Sequence, residues 1–201
     1  MDSNPKKPSI ARIIDGGYFF PDSGDLEHGV RYYRHNTFLY KEKYNAINRF
    51  YSSNDICDEF LKEAHRHDEC VTLLFFSEEE LIAFCSICCA SLHVHDLLHP
   101  AIEFRYFAIA HKLWGAKFNG SNVKISGFIF ESCMLYAYVV SQNILAAEYF
   151  ILQAKNDKRV RNFYNKHGFI ELTNNMRLST DETFSQCVPA FIKLPGRYSQ
   201  S

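Results

Sequence analysis

The chain contains no apolar run approaching the roughly 18 residues that a membrane-spanning helix requires, which excludes a helical anchor. It has no internal repeat, no low-complexity tract and no linker that would divide it. An excess of one charge is also missing: 22 Lys and Arg against 23 Asp and Glu give a formal net charge of −1. That balance removes any overall attraction for nucleic acid or an anionic membrane, while leaving room for a local basic patch. No secretory signal stands before the seven cysteines (Cys57, Cys70, Cys85, Cys88, Cys89, Cys133 and Cys187), and their number is odd. Reduced thiols in a cytoplasm are the expectation. Paired cysteines and a helical histidine repeat, the usual frames of a zinc site, are lacking too. His93 and His95 would share a strand face, with Asp96 and His99 nearby, but satisfied or exposed histidines are far commoner, so no metal is expected. Cys85, Cys88 and Cys89 read as small hydrophobes of one strand.

What is present suits one globular domain. At 201 residues, with 47% hydrophobic and 22% charged composition, the chain can bury a sizeable core. Eighteen Phe and twelve Tyr favour a broad sheet-based core over an apolar tunnel. Met1 to Pro8 is polar, Ile10 to Ile14 suits a short strand, and Asp22 to Gly29 is turn-rich. The tyrosine-rich run from Val30 to Tyr51 fits a covering helix or a lid. Ser53 or Asn54 then caps a helix ending near His65, Arg66 and His67. Val71–Phe76 and Leu81–His95 form a hairpin, Leu98–Pro100 breaks the pattern, and Ala101–Ala110 is a further strand. His111–Ser126 is a polar loop carrying Lys112, Lys117 and Lys124 and no acid. Gly127–Gln142 reads as a helix, Ala146–Ala154 as a strand, and Gln186–Leu194 as a last strand whose Pro189 needs an edge or bulge. The order gives a mixed α/β sheet, mostly antiparallel, with one parallel βαβ crossover flanked by helices. Ligands in such sheets sit at the carboxyl ends of the strands, which places loop 111–126 at the site.

Residues 146–172 say the most. An apolar strand runs to Ala154, and Asn156 and Asp157 offer oxygens to cap a helix. Val160, Phe163, Tyr164 and His167 recur at helical spacing, and Gly168 stands where a left-handed residue would end the turn. Phe169 to Leu172 opens another strand. A helix of about three turns cannot hold itself up in water, so it must be clamped by those strands. This strand, Phe-Tyr helix, Gly-Phe, strand arrangement resembles the end of the GCN5-related N-acetyltransferase (GNAT) fold. The resemblance extends over residues 50–194, with 1–49 as an N-terminal extension of unplaced role and 195–201 as a tail.

The resemblance implies acetyl-CoA as cosubstrate and an amine that attacks it directly. Lys124, Ile125, Ser126, Gly127, Phe128 and Ile129 resemble the family's phosphate loop, at a helix start whose free amides suit pyrophosphate. Lys124 replaces the usual first residue, and Ile129 stands where a small residue is normal. A solvated loop with scattered lysines is the competing reading. Ile102–Ile109 resembles the family's splayed strand, which implies that Phe107, Ala108, Ile109 and Ala110 would offer backbone groups to pantetheine. The resemblance also puts Asp157 among the cofactor contacts. Glu103 occupies the place of the glutamate that takes the amine's proton in family histone acetyltransferases, against the alternative of a Glu103–Arg105 charge pair. Tyr164 matches the tyrosine that protonates the departing thiolate, against the alternative of packing beside Phe163.

The acceptor is unread: a small molecule, a protein or a charged tRNA. Asp58-Glu-Phe-Leu, the hairpin and the closing Phe-Tyr…Gly-Phe are similar to GNAT toxins that acetylate aminoacyl-tRNA, although the neutral charge balance argues against it. A non-catalytic GNAT-like module is the alternative from another class. No membrane contact is expected, and a dimer is one option for the assembly.

Overall fold

The computed structural model describes residues 12–14, 17–19, 23–35, 49–53, 70–179 and 186–195. Strands β1 (Arg12–Ile14) and β2 (Gly17–Phe19) form a two-stranded antiparallel sheet of their own. Among the described residues the main sheet has nine strands: β3 (Ser23–Asp25), β4 (Val30–His35), β5 (Val71–Ser77), β6 (Glu80–Val94), β7 (Leu97–Ile109), β8 (Tyr149–Lys155), β9 (Ile170–Glu171), β10 (Met176–Leu178) and β11 (Cys187–Lys193). Helices α1 (Ile125–Val140) and α2 (Lys158–Lys166) lie between β7 and β8 and between β8 and β9 in the chain. In space the order is β3-β4-β5-β6-β7-β8-β11-β9, with β10 on the far part of β6. Every pairing is antiparallel except β7 with β8, the pair joined through α1. The mixed sheet and single parallel crossover are those expected from the sequence.

The two long apolar runs explain the centre. Leu81 to Cys88 are all buried, so β6 is covered on both faces and reads as a continuous run instead of an alternating one. One face carries Ile102, Phe104, Phe107 and Ile109 of β7 against α1 and α2. The other carries Tyr106, Ala108 and Ala110 with Leu74, Phe84, Phe50 and Tyr51. Residues 49–53 are helical, and the predicted helix beyond Asn54 lies outside the described residues, as do Met1–Pro8 and the last six residues.

Three local expectations change. Val30–His35 is a strand, neither covering helix nor lid: it pairs along β5 from Val30–Ser77 to His35–Thr72, with Tyr32 buried. The strand expected to start at Ala101 starts at Leu97, because the reversal is made by His95 and Asp96, both in the left-handed region at φ 48° and 64°. Pro100 is tolerated there. Its carbonyl accepts from the Glu148 amide at 2.8 Å, so its side lacking an N–H faces ground that β8 has not yet reached. Pro189 follows the same logic on β11: it faces β9, whose pairing stops at Ala190. Helix α1 also starts two residues earlier than Gly127, at Ile125.

Candidate active site

The site begins with an irregularity in β7. Ser86 pairs with Tyr106 and Ile87 with Phe104, so Arg105 is an extra residue, a β-bulge. The bulge resets the alternation. Glu103, Arg105 and Tyr106 share one face, and Phe107 and Ile109 turn to the other beside Tyr164. At the same point β7 loses its parallel neighbour. The ladder with β8 runs from Ala101–Tyr149 to Phe104–Leu152 and stops, although β7 continues to Ile109 and β8 to Lys155. Beyond that step the facing edges of the two strands are unpaired, and the gap between them is the candidate cleft.

The backbone lining this cleft follows from register. Ala110 donates to Ile82 on β6 at 2.8 Å, so in an antiparallel ladder Ala108 also faces β6, while Phe107 and Ile109 direct their amide groups to the vacated side. Of the four residues expected to offer backbone groups, Phe107 and Ile109 face the cleft and Ala108 and Ala110 face β6.

Tyr164, from α2, packs against the same apolar cluster as Phe107 and Ile109. Its ring packs edge-on against Phe130 (5.3 Å between centroids) and Phe163 (5.2 Å). Burial pushes the phenol pKa well up, reinforced by the thiols of Cys85, Cys187 and Cys133. Cys85 lies on β6 opposite Phe107, and Cys187 on β11 opposite Lys155. The hydroxyl is thus within electrostatic reach of thiols on both banks of the cleft. Its helix is held as the sequence suggests. Asp157 Oδ1 accepts from the amides of Arg159 (2.8 Å) and Val160 (3.1 Å), and at the other end Gly168 takes φ 90° while the Tyr164 carbonyl accepts from His167 and Phe169.

Glu103 lies on the opposite face, 3% exposed, where the Cys88 thiol donates to its Oε2 at 3.6 Å. The guanidinium of Arg105 has its pKa raised: Glu103 and Cys88 and a hydrogen bond with Tyr106 outweigh the burial that alone would lower it. Glu103 is therefore a buried carboxyl group that interacts electrostatically with Arg105.

The predicted phosphate loop is built in an unforeseen way. The Ile125 amide donates to the Ala116 carbonyl at 3.1 Å, so residues 117–124 are an excursion with a closed stem, pinned by the Lys117–Lys124 bridge and by Phe118 stacked on His28 (4.3 Å). Lys124 is the N-cap of α1 and supplies no side-chain cap, and the helix offers no acceptor for the Ser126 and Gly127 amides. Ile125, Phe128 and Ile129 are buried, Ile129 completely, so its branched side chain points into the core and not at the helix end. Lys112 is spent on Glu80 at 2.7 Å, whereas Lys124 at the start of α1, Lys155 at the end of β8, and Lys158 and Arg159 at the start of α2 are all exposed.

Two contributors went unread. His167 packs against Phe163 (4.8 Å) and reaches Gly127, and Trp114 meets both Ile109 and Arg159. A lone tryptophan in a polar loop assigned to the ligand site was the available signal for the second.

No protein-family profile matches this chain, and no curated protein matches it in sequence. Solved structures do. One described as a bacterial toxin superposes with TM-score 0.57 at 18% identity, over 82% of this chain and 90% of its own. The KacTA–DNA complex gives 0.53 at 15% identity, over 82% and 92%. A tyrosine-to-phenylalanine mutant of the toxin AtaT, bound to the C-terminus of the antitoxin AtaR and acetyl-CoA, gives 0.51 at 12% identity, over 82% and 93%. The fold is that of the GCN5-related N-acetyltransferases, with likeness to its toxin-type members.

Proposed function

We propose that the protein is an acyl-CoA-dependent N-acyltransferase that moves an acetyl group from acetyl-CoA to an amine acceptor by direct attack. The observation that carries this reading is the parting of β7 from β8 after Phe104 and Leu152, with Tyr164 packed against the same cluster as Phe107 and Ile109. A slender arm laid into that gap would find the Phe107 and Ile109 backbone groups in place of the missing strand. Its phosphates would meet the Ser126 and Gly127 amides and the cations at the cleft's carboxyl end. The inward turn of Ile129 removes the main objection to the phosphate loop, and so favours this reading over a module that binds no cofactor.

In the reaction the acceptor nitrogen bonds to the acetyl carbon, the carbon–sulfur bond breaks, and the electron pair leaves on sulfur. Tyr164 donates its proton to that sulfur. A phenol whose pKa is raised by burial stays protonated across the working pH range, and the same burial raises the proton affinity of a thiolate formed beside it. Glu103, on the opposite face, takes the proton lost by the amine, through water. The acceptor would therefore approach from the side covered by residues 49–53, and the cofactor from the side of α1 and α2.

Calorimetric titration with acetyl-CoA tests the first half of this reading, and Tyr164→Phe tests the second. The variant should keep its acetyl-CoA affinity and lose turnover on the order of 10². Unchanged turnover would remove Tyr164 from the mechanism. Absence of acetyl-CoA binding would remove the mechanism itself.

A further inference from the structure

The carbonyl of Ile109 faces the cleft and is already taken: Trp114 Nε1 donates to it at 3.1 Å. From the other bank, the guanidinium of Arg159 lies over the same indole, 5.1 Å from its centroid. One side chain from the loop after β7 therefore meets one from the helix after β8, across the carboxyl ends of the two parted strands. The indole is 47% exposed, so these contacts and the edge of His111 at 4.8 Å hold it in place of burial.

We propose that Trp114 is a removable stopper of the cofactor cleft, exchanged on entry for an amide of acetyl-CoA. This inference rests on the acetyl-CoA reading above. An arm lying along β7 needs the cleft-facing groups of alternate residues, Phe107 and Ile109, and the second is the carbonyl that the indole occupies. The same ligand brings phosphates that compete for Arg159, because a charge-assisted bond to phosphate is stronger than a guanidinium–ring contact at an exposed site. Entry thus loosens both ends of the stopper at once. A neutral hydrogen bond at an exposed position is weak enough to be traded in this way and strong enough to be felt in affinity.

Trp114 is the chain's single tryptophan, so its emission reports its own environment. Trp114→Phe keeps one aromatic ring for Arg159 and deletes the donor that competes for Ile109. Acetyl-CoA should bind this variant about three- to tenfold more tightly than it binds the unaltered protein by calorimetry. In the unaltered protein, Trp114 emission should change and saturate with the calorimetric isotherm. Binding by the variant alone would also support the stopper. Equal or weaker affinity in Trp114→Phe overturns it, as does steady emission in protein that calorimetry shows to be loaded. Failure of both proteins to bind acetyl-CoA overturns the acetyl-transfer reading, and the stopper with it.

Discussion

The His167 imidazole lies against Gly127 in the first turn of α1, so that a Cβ added at 127 would sit 3.8 Å from His167 Cε1. That is ordinary van der Waals contact, and the end of α2 is thereby seated on the start of α1. A glycine here is required by neither φ nor space. Gly127→Ala should therefore raise the unfolding free energy by about 0.4–1 kcal/mol through loss of unfolded-state freedom. Denaturant titration checks this; a destabilised variant would mean that the two helix ends approach more closely than described.

The same histidine makes stability depend on pH. Burial lowers its pKa from the ordinary 6.5, and Glu131, with Oε1 3.6 Å from Nδ1, only partly offsets this. The unfolded chain then binds the proton more readily, so this contribution is complete above about pH 6.5 and fades as pH falls toward the folded value. His167→Gln should flatten the stability profile between pH 7.5 and pH 5 (roughly the range in which histidine titrates). An unchanged slope in denaturant midpoints would assign the acid sensitivity elsewhere.

Glu103→Gln separates the base from a structural role. A buried glutamine can still accept from Cys88, so the fold should survive. Turnover should fall by about 10²-fold at neutral pH and recover toward pH 10, where the amine sheds its proton unaided. A loss that stays constant across the pH range would leave Glu103 without a proton-accepting part.

Asp157→Ala removes the oxygen that caps α2. The expected cost is about 1 kcal/mol of stability. Because α2 carries Tyr164, turnover should drop while acetyl-CoA affinity holds. A larger loss of affinity than of stability would give the carboxylate a direct cofactor contact.

Much of this could be read in the chain. The Asp157 cap, the Gly168 terminus and the parallel crossover each have a local signature, a side-chain oxygen, a residue free of Cβ and an apolar strand–helix–strand run. The bulge at Arg105 has none. With Phe104, Tyr106, Phe107 and Ala108 apolar and both faces covered, there is no alternation for an inserted residue to interrupt. The strand at Val30–His35 hid for a related reason: its tyrosines and arginines have apolar bodies and polar tips, which suit a half-covered strand as well as a surface helix. Trp114, Ile109 and Arg159 meet only in three dimensions, through a loop, a strand end and a helix start.

The closed stem between Ala116 and Ile125 has an implication for how this chain could change. Phe118 is packed on His28 and its amide donates to the Val123 carbonyl, so the tip between those two residues is an appendage whose length is nearly free to drift: each doubling costs only about 0.6 kcal/mol. Lineages could trim or enlarge this finger without disturbing the strands beneath, and an engineer could graft a tag there on the same terms.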